Sequence, residues 1–171
     1  MNKKGLSVII GYVLLISISI VMSILVYQWL KTYVPTEEIK CPEGTSLFIR
    51  EINYDCTNSV LNITVKNNGK FSIDGYFIHV SNKTDEQLAV IDISQRITFG
   101  GNISGNAITF SEWTENSLTP DENNIKISSF NVTGYGTLTK VELIPTRIQE
   151  VNDKNKFVSC GDVRVEEKLN C

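Results

Sequence analysis

The sequence predicts a long N-terminal transmembrane α-helix followed by an all-β head. Three observations predict it. Leu6 to Leu30 carries no charged residue; from Ser46 onward, short runs of alternating apolar and polar residues are separated by turn residues; and the four cysteines, Cys41, Cys56, Cys160 and Cys171, all follow the apolar run. A chain of 171 residues has room for one ordinary domain and an appendage, because domains cluster around roughly 100 to 150 residues. The hydrophobic share of 42% is therefore an average over two unlike parts.

The helix comes first. LSVIIGYVLLISISIVMSILVYQWL (Leu6 to Leu30) offers roughly 25 uncharged residues, against the roughly 20 that a helix needs to cross the hydrocarbon core. Hydrocarbon gives backbone amides no partners, so an open chain can cross it only as a helix that satisfies them internally. Lys3 and Lys4 flank the N-terminal side, and cationic flanks stay in the cytoplasm, which places everything after Leu30 outside. Tyr27, Trp29 and Tyr33 suit the outer interface, and Pro35 is expected to end the helix. A cleavable secretory signal has an apolar core of roughly 7 to 15 residues and a small-x-small cleavage site. This run is longer and lacks such a site.

The start, MNKKGLS, sets the segment apart from a plain anchor. A five-residue basic leader ending in Gly5 abuts the apolar run, so cutting after Gly5 removes the charges and leaves the helix on the chain. Lys3-Lys4-Gly5-Leu6-Ser7 followed by VIIGYVLLISISIVMSILVY resembles the archaeal type IV pilins and archaellin-like proteins with a class III signal peptide. The resemblance implies that a membrane prepilin peptidase cuts the Gly5–Leu6 bond and that the mature helices bundle into a filament core. The implied partners are membrane lipid, the peptidase and other pilin subunits, with assembly driven by a cytoplasmic ATPase and a membrane platform protein. Bacterial type IV pilins carry a glutamate at the fifth mature position, where this chain has Ile10, a departure that fits the archaeal branch. On this reading residues 1–5 are the leader, 6–34 the membrane and filament-core helix, 35–40 a linker and 41–171 the extracellular head. Ser7 with Gly11, and Ser19 with Ser23, lie one turn apart and are candidate helix-packing positions, because helices in lipid associate through small residues.

The head reads as strands. Ser46 to Asn53, Ser59 to Asn67 and Phe71 to Val80 alternate with β-branched enrichment. Gln87 to Ile93, Ala107 to Phe110, Ile125 to Val132, Thr137 to Ile144 and Asp162 to Glu167 continue the series. Asn67-Asn68-Gly69 reads as a hairpin turn, since type I′ geometry needs positive φ. Leu118 to Glu122 and Gly134-Tyr135-Gly136 mark further loops. Repeated short strands with regular turn signals predict an Ig-like sandwich. GYGTLTKVELIPTRI and FVSCGDVRVEEKLNC also look like the C-terminal parts of small archaeal pilin-like heads.

Outside the membrane the cysteines are expected as disulfides. Four cysteines allow three connectivities, and Cys41–Cys56 with Cys160–Cys171, which close short loops, is the expected one. Asn62, Asn82, Asn102 and Asn131 each begin an N-x-[ST] sequon, an acceptor for N-glycosylation in an exported chain.

The sequence offers no convincing catalytic constellation and implies no cofactor. His79 is the single histidine; a nucleophilic triad has no second member, and a zinc site needs clustered ligands. The neighbours Asp121-Glu122 and Glu166-Glu167 alternate sides on a strand, and Gly100-Gly101 lacks the strand-to-helix setting of a phosphate cradle. Net charge is -3, with 16 basic residues dispersed among 19 acidic ones, so no basic face for nucleic acid is expected. The function expected is a pilin-like structural subunit. The competing reading is a non-polymerising, single-span, membrane-anchored β-sandwich receptor or binding protein. A surface hydrolase would require His79 to meet carboxylates in an open pocket.

Overall fold

The structure, a computed structural model, describes residues 3–33, 40–110, 117–121, 123–151 and 153–171, without the side chains of residues 3–8. Pro35, the linker residues 35–39 and Glu122 lie outside the described residues. The chain divides into two compact units between Ile39 and Lys40, next to the expected start of the head.

The first unit is one α-helix, α1 (Lys3–Tyr33). Within it Ile9–Tyr33, whose most apolar 18-residue window has a mean hydropathy of 2.7, is, among the described residues, the helix long and apolar enough to cross a membrane. Trp29 and Tyr33, one turn apart, pack with tilted rings whose centroids are 4.7 Å apart.

The second unit is all β. Its strands are β1 (Leu47–Asp55), β2 (Val60–Asn67), β3 (Gly75–Ser81), β4 (Ile91–Asp92), β5 (Ile97–Phe99), β6 (Asn102–Ser104), β7 (Ala107–Thr109), β8 (Ile125–Asn131), β9 (Lys140–Val151), β10 (Lys154–Ser159) and β11 (Val165–Lys168). They form two sheets, one ordered β1-β2-β8-β5 and the other β10-β9-β3-β7-β6, with β11 also on β9 and β4 on β3. All described ladders are antiparallel.

Period-two patterning positions the core. Leu61, Ile63 and Val65 of β2 are buried on one face while Asn62, Thr64 and Lys66 point away. Leu47, Ile49 and Phe130 join them from the first sheet; Tyr76, Ile78, Val80, Ile108, Val141 and Leu143 face them from the second, in one continuous cluster.

Two expectations are corrected here. Asn67-Asn68-Gly69 is not a hairpin: β2 pairs with β1 and β8, whereas β3 belongs to the other sheet. The buried Asn67 side chain makes the crossing instead, donating to the carbonyls of Phe71 (2.8 Å) and Leu118 (2.7 Å) and accepting from the Gly69 N–H (2.8 Å). Gly69 serves a close approach rather than positive φ, since a Cβ there would lie 2.5 Å from the Gly44 carbonyl oxygen.

The disulfides are Cys41–Cys160 and Cys56–Cys171, not Cys41–Cys56 and Cys160–Cys171. Cys41 and Cys56 flank the nine-residue β1, which at about 3.4 Å per residue separates them by roughly 30 Å. Cys160 and Cys171 are held apart in the same manner. β10 runs along β9 from Val151 to Thr146, Cys160 donates its N–H to the Pro145 carbonyl, and β11 continues from Leu143 to Lys140. The observed bonds have Cα separations of 5.4 and 5.8 Å and span 119 and 115 residues of sequence.

A buried carboxylate braces the end of the head at which the chain enters. Asp74 accepts from the Ile148 N–H (2.6 Å) and from the Ser117 hydroxyl. Beside it, Arg147 donates to the Ser72 carbonyl (2.7 Å) and lies over the Phe71 ring.

Peptide mapping without reductant should recover Cys41 linked to Cys160 and Cys56 linked to Cys171. Because long closures restrict the unfolded chain most, Cys56→Ser with Cys171→Ser should cost about 2–5 kcal/mol in chemical denaturation; an unchanged midpoint would count against that account. Asp74→Ala should cost about 1–3 kcal/mol, the typical penalty for a buried donor left unpaired, also read by denaturation.

Candidate assembly helix and head surface

From Ile9 to Leu30 every large apolar side chain of α1 is exposed, on all sides of the helix. Helices normally bury an apolar stripe and turn a polar face to water; one that is apolar all round belongs in lipid or in a bundle. Two of its hydroxyls are turned onto the backbone: Ser17 donates to the Val13 carbonyl and Ser19 to that of Leu15, both at 2.8 Å. Ser19 and Ser23 line a shallow groove together with Ile16, Ile20 and Ile24. A Cβ added to Gly11 would meet nothing within 4 Å. The side chains of Lys3, Lys4, Leu6 and Ser7, like the cleavage position as a whole, lie outside what the structure describes beyond their helical backbone.

The sequons occupy four different settings. Asn62 is half-buried within β2, and its Oδ1 accepts from the Ser129 hydroxyl of β8 at 2.6 Å. Exposed Asn82 uses its Nδ2 to reach the Tyr135 carbonyl at 3.0 Å. Asn131, also exposed, turns its Oδ1 back to the Thr133 N–H at 3.0 Å. Asn102 lies on β6 with Ile103 and Ser104, all three exposed.

His79 stands opposite Asp92 of β4 and Glu142 of β9, and Glu142 stands opposite Glu166 of β11. Carboxylates thus flank it in register, although Asp92 is committed to the Ser94 N–H at 2.8 Å and Glu142 is buried. Among the described residues no group of three or more His, Cys, Asp or Glu could hold a metal. No known protein family, curated protein or solved structure matches this chain.

A cleft of about 530 Å³ opens at the opposite end of the head, lined among others by Glu86, Leu138, Lys140, Glu166 and Cys171. His79 does not line it. Lys140 at its wall donates to the carbonyls of Glu86 (3.1 Å) and Gln87 (2.6 Å) and lies 3.8 Å from Glu166. Sequence patterning could not find this cleft, because it draws on three separated stretches whose meeting depends on the β9 and β11 register.

Two carboxylates stabilise loops at this end. The Ser81 hydroxyl (2.6 Å), and after it Lys83, lower the pKa of Glu86. At the β1–β2 turn the Asn58 backbone N–H (3.0 Å), followed by its side chain, lowers that of Asp55. A carboxyl whose folded pKa is lowered adds stability that is complete above its unfolded pKa and is lost as pH falls through the folded one. The thermal midpoint of the head should therefore drop on acidification through and below the ordinary carboxylate range. Glu86→Gln and Asp55→Asn should each make that drop shallower; identical acid profiles in both variants would contradict the assignment.

Proposed function

We propose that this chain is a pilin-like structural subunit of a cell-surface, type IV pilus-like filament. The observation that carries the reading is the direct junction of Lys3-Lys4-Gly5 with a helix that is apolar on every side. Cleavage of the Gly5–Leu6 bond by prepilin peptidase would remove the cations and leave an uncharged rod from Leu6 to Leu30, able to exchange lipid for the helices of other pilin subunits. The Ser19–Ser23 groove suits such an exchange, because dispersion and close backbone approach, not the hydrophobic effect, hold helices together in lipid.

The head then faces the medium, for adhesion or surface display, on a single-pass chain whose N-terminus is cytoplasmic. An immunoglobulin-like sandwich is its proposed fold. In support, β1-β2-β8-β5 follows the A-B-E-D order of the constant-type arrangement and β10-β9-β3 follows G-F-C, while β6 and β7 extend the second sheet as an insertion.

N-terminal sequencing of the protein from membranes or surface filaments should find Leu6 as the first residue. Retention of Met1 or Lys3 would sink the subunit reading and leave a non-polymerising anchored binding protein.

A further inference from the structure

We infer that the cleft between the β3–β4 loop and the C-terminal stretch from Glu166 binds a short acidic saccharide, with Lys168 as the group that takes its carboxylate. The inference deepens the adhesion reading of the head, and rests on it only for the export that brings the cleft to the medium.

The cleft is held open from its floor. Lys140 of β9 donates to the carbonyls of Glu86 and Gln87 in the β3–β4 loop. Its neighbour Thr139 donates its hydroxyl to the Lys83 carbonyl at 2.9 Å, and its own carbonyl accepts from the Leu169 N–H at 2.8 Å. One wall is thus tied to the floor by the Lys140 and Thr139 side chains, the other by a backbone bond and the Cys56–Cys171 disulfide. The volume of about 530 Å³ suits a small molecule, and sites of that kind are usually formed before the ligand arrives.

Its charges are not balanced. Lys140 and Lys168 stand directly opposite one another across β9 and β11, on the face turned away from the core into which their strands' Val141 and Val165 pack. Like charges so placed repel. Lys140 has Glu166 at 3.8 Å besides its two carbonyls, and Lys83 has Glu86 at 3.2 Å. Lys168 has no partner among the described residues, so the three lysines and two glutamates of the lining leave one cation in excess. A ligand with a single negative charge relieves the Lys140–Lys168 repulsion.

The rest of the lining selects the body of that ligand. The leucines, Leu138 and Leu169, are buried at 1% and 5% exposure, and no aromatic ring lines the cleft, so it offers little to an apolar molecule. The Thr137 hydroxyl and the Gln87 and Asn170 amides are exposed, and no described hydrogen bond occupies them. Glu86 and Glu166 accept hydrogen bonds from hydroxyls but repel a second negative charge, which disfavours a phosphate dianion or a polyacidic peptide. One carboxylate on a body of hydroxyls meets both conditions, and a uronic acid unit in a saccharide has that chemistry.

The test titrates the full chain in detergent by calorimetry. The probes are disaccharides of glucose with one glucuronic, galacturonic or mannuronic acid, their neutral hexose parents, inorganic phosphate and pentaglutamate. At least one acidic disaccharide should bind, and more tightly than its neutral parent, phosphate or pentaglutamate. Lys168→Gln should weaken that binding by about tenfold or more, the effect of losing a hydrogen bond to a charged group, with the thermal midpoint unchanged. Lys168→Arg should retain it, and Lys156→Gln on β10, outside the cleft, should leave it as it was. No binding by any acidic disaccharide, equal binding by the neutral parent, phosphate or pentaglutamate, or full affinity in Lys168→Gln would overturn the inference. N-terminal sequencing of the same sample reads the filament proposal separately. A Leu6 start without binding removes only the saccharide site; binding with Met1 retained removes only the filament subunit.

Discussion

Neither sheet of the head can bury its own apolar face, and the packing of the two against each other is the constraint from which the rest follows. Leu61, Ile63 and Phe130 on one side and Tyr76, Ile78 and Leu143 on the other are wholly excluded from water. At roughly 25 cal/mol per Å² of apolar surface, that layer dominates the favourable terms and fixes strand register, because a slip of one residue would turn every inward side chain outward. Polar groups adjust to it. Asn67 bonds to backbone groups, and Asp74 to the Ile148 N–H and the Ser117 hydroxyl, where the chain crosses between sheets. Gly100, at φ +98, is required where the chain passes β8 so closely that a Cβ would lie 1.8 Å from the Ile127 carbonyl oxygen.

The disulfides fasten the two ends of the head to that frame. Cys41, near the first residue of the unit, is bound to the junction of β10 and β11, and Cys171, the last residue, to the turn after β1. Termini fray in most domains unless tied down. Around the second bond, further contacts knit the end distant from Cys41: Tyr54 donates to the Gly136 carbonyl and accepts from the Leu138 N–H, and Leu169 donates to the Thr139 carbonyl.

The helix obeys the opposite logic. It has no inward side, turns the Ser17 and Ser19 hydroxyls onto its own backbone, and leaves its large apolar side chains from Ile9 to Leu30 exposed. The chain therefore joins a unit with a buried core of its own to a helix long and apolar enough to cross a membrane.

Much of this was legible in the residues themselves. The uncharged run from Leu6 to Leu30 determined a helix, found at Lys3–Tyr33, because hydropathy and length are properties of the local chain. Alternation likewise located β1, β2, β3 and β8, where one face is buried and one is not. The three-residue strands β5 and β6 were too short to show a period. β9 ran past its expected end at Ile144 and through Pro145, because that residue's missing N–H points toward the gap between β10 and β11, where no ladder acceptor waits. Partnership belonged to the tertiary structure alone: which strands cross between sheets, which cysteines meet and how His79 is surrounded. Sequence records the direction a side chain takes from its own strand. What stands opposite depends on register across a hundred residues of chain, and an extended strand carries its two ends, and any cysteines at them, as far apart as the chain allows.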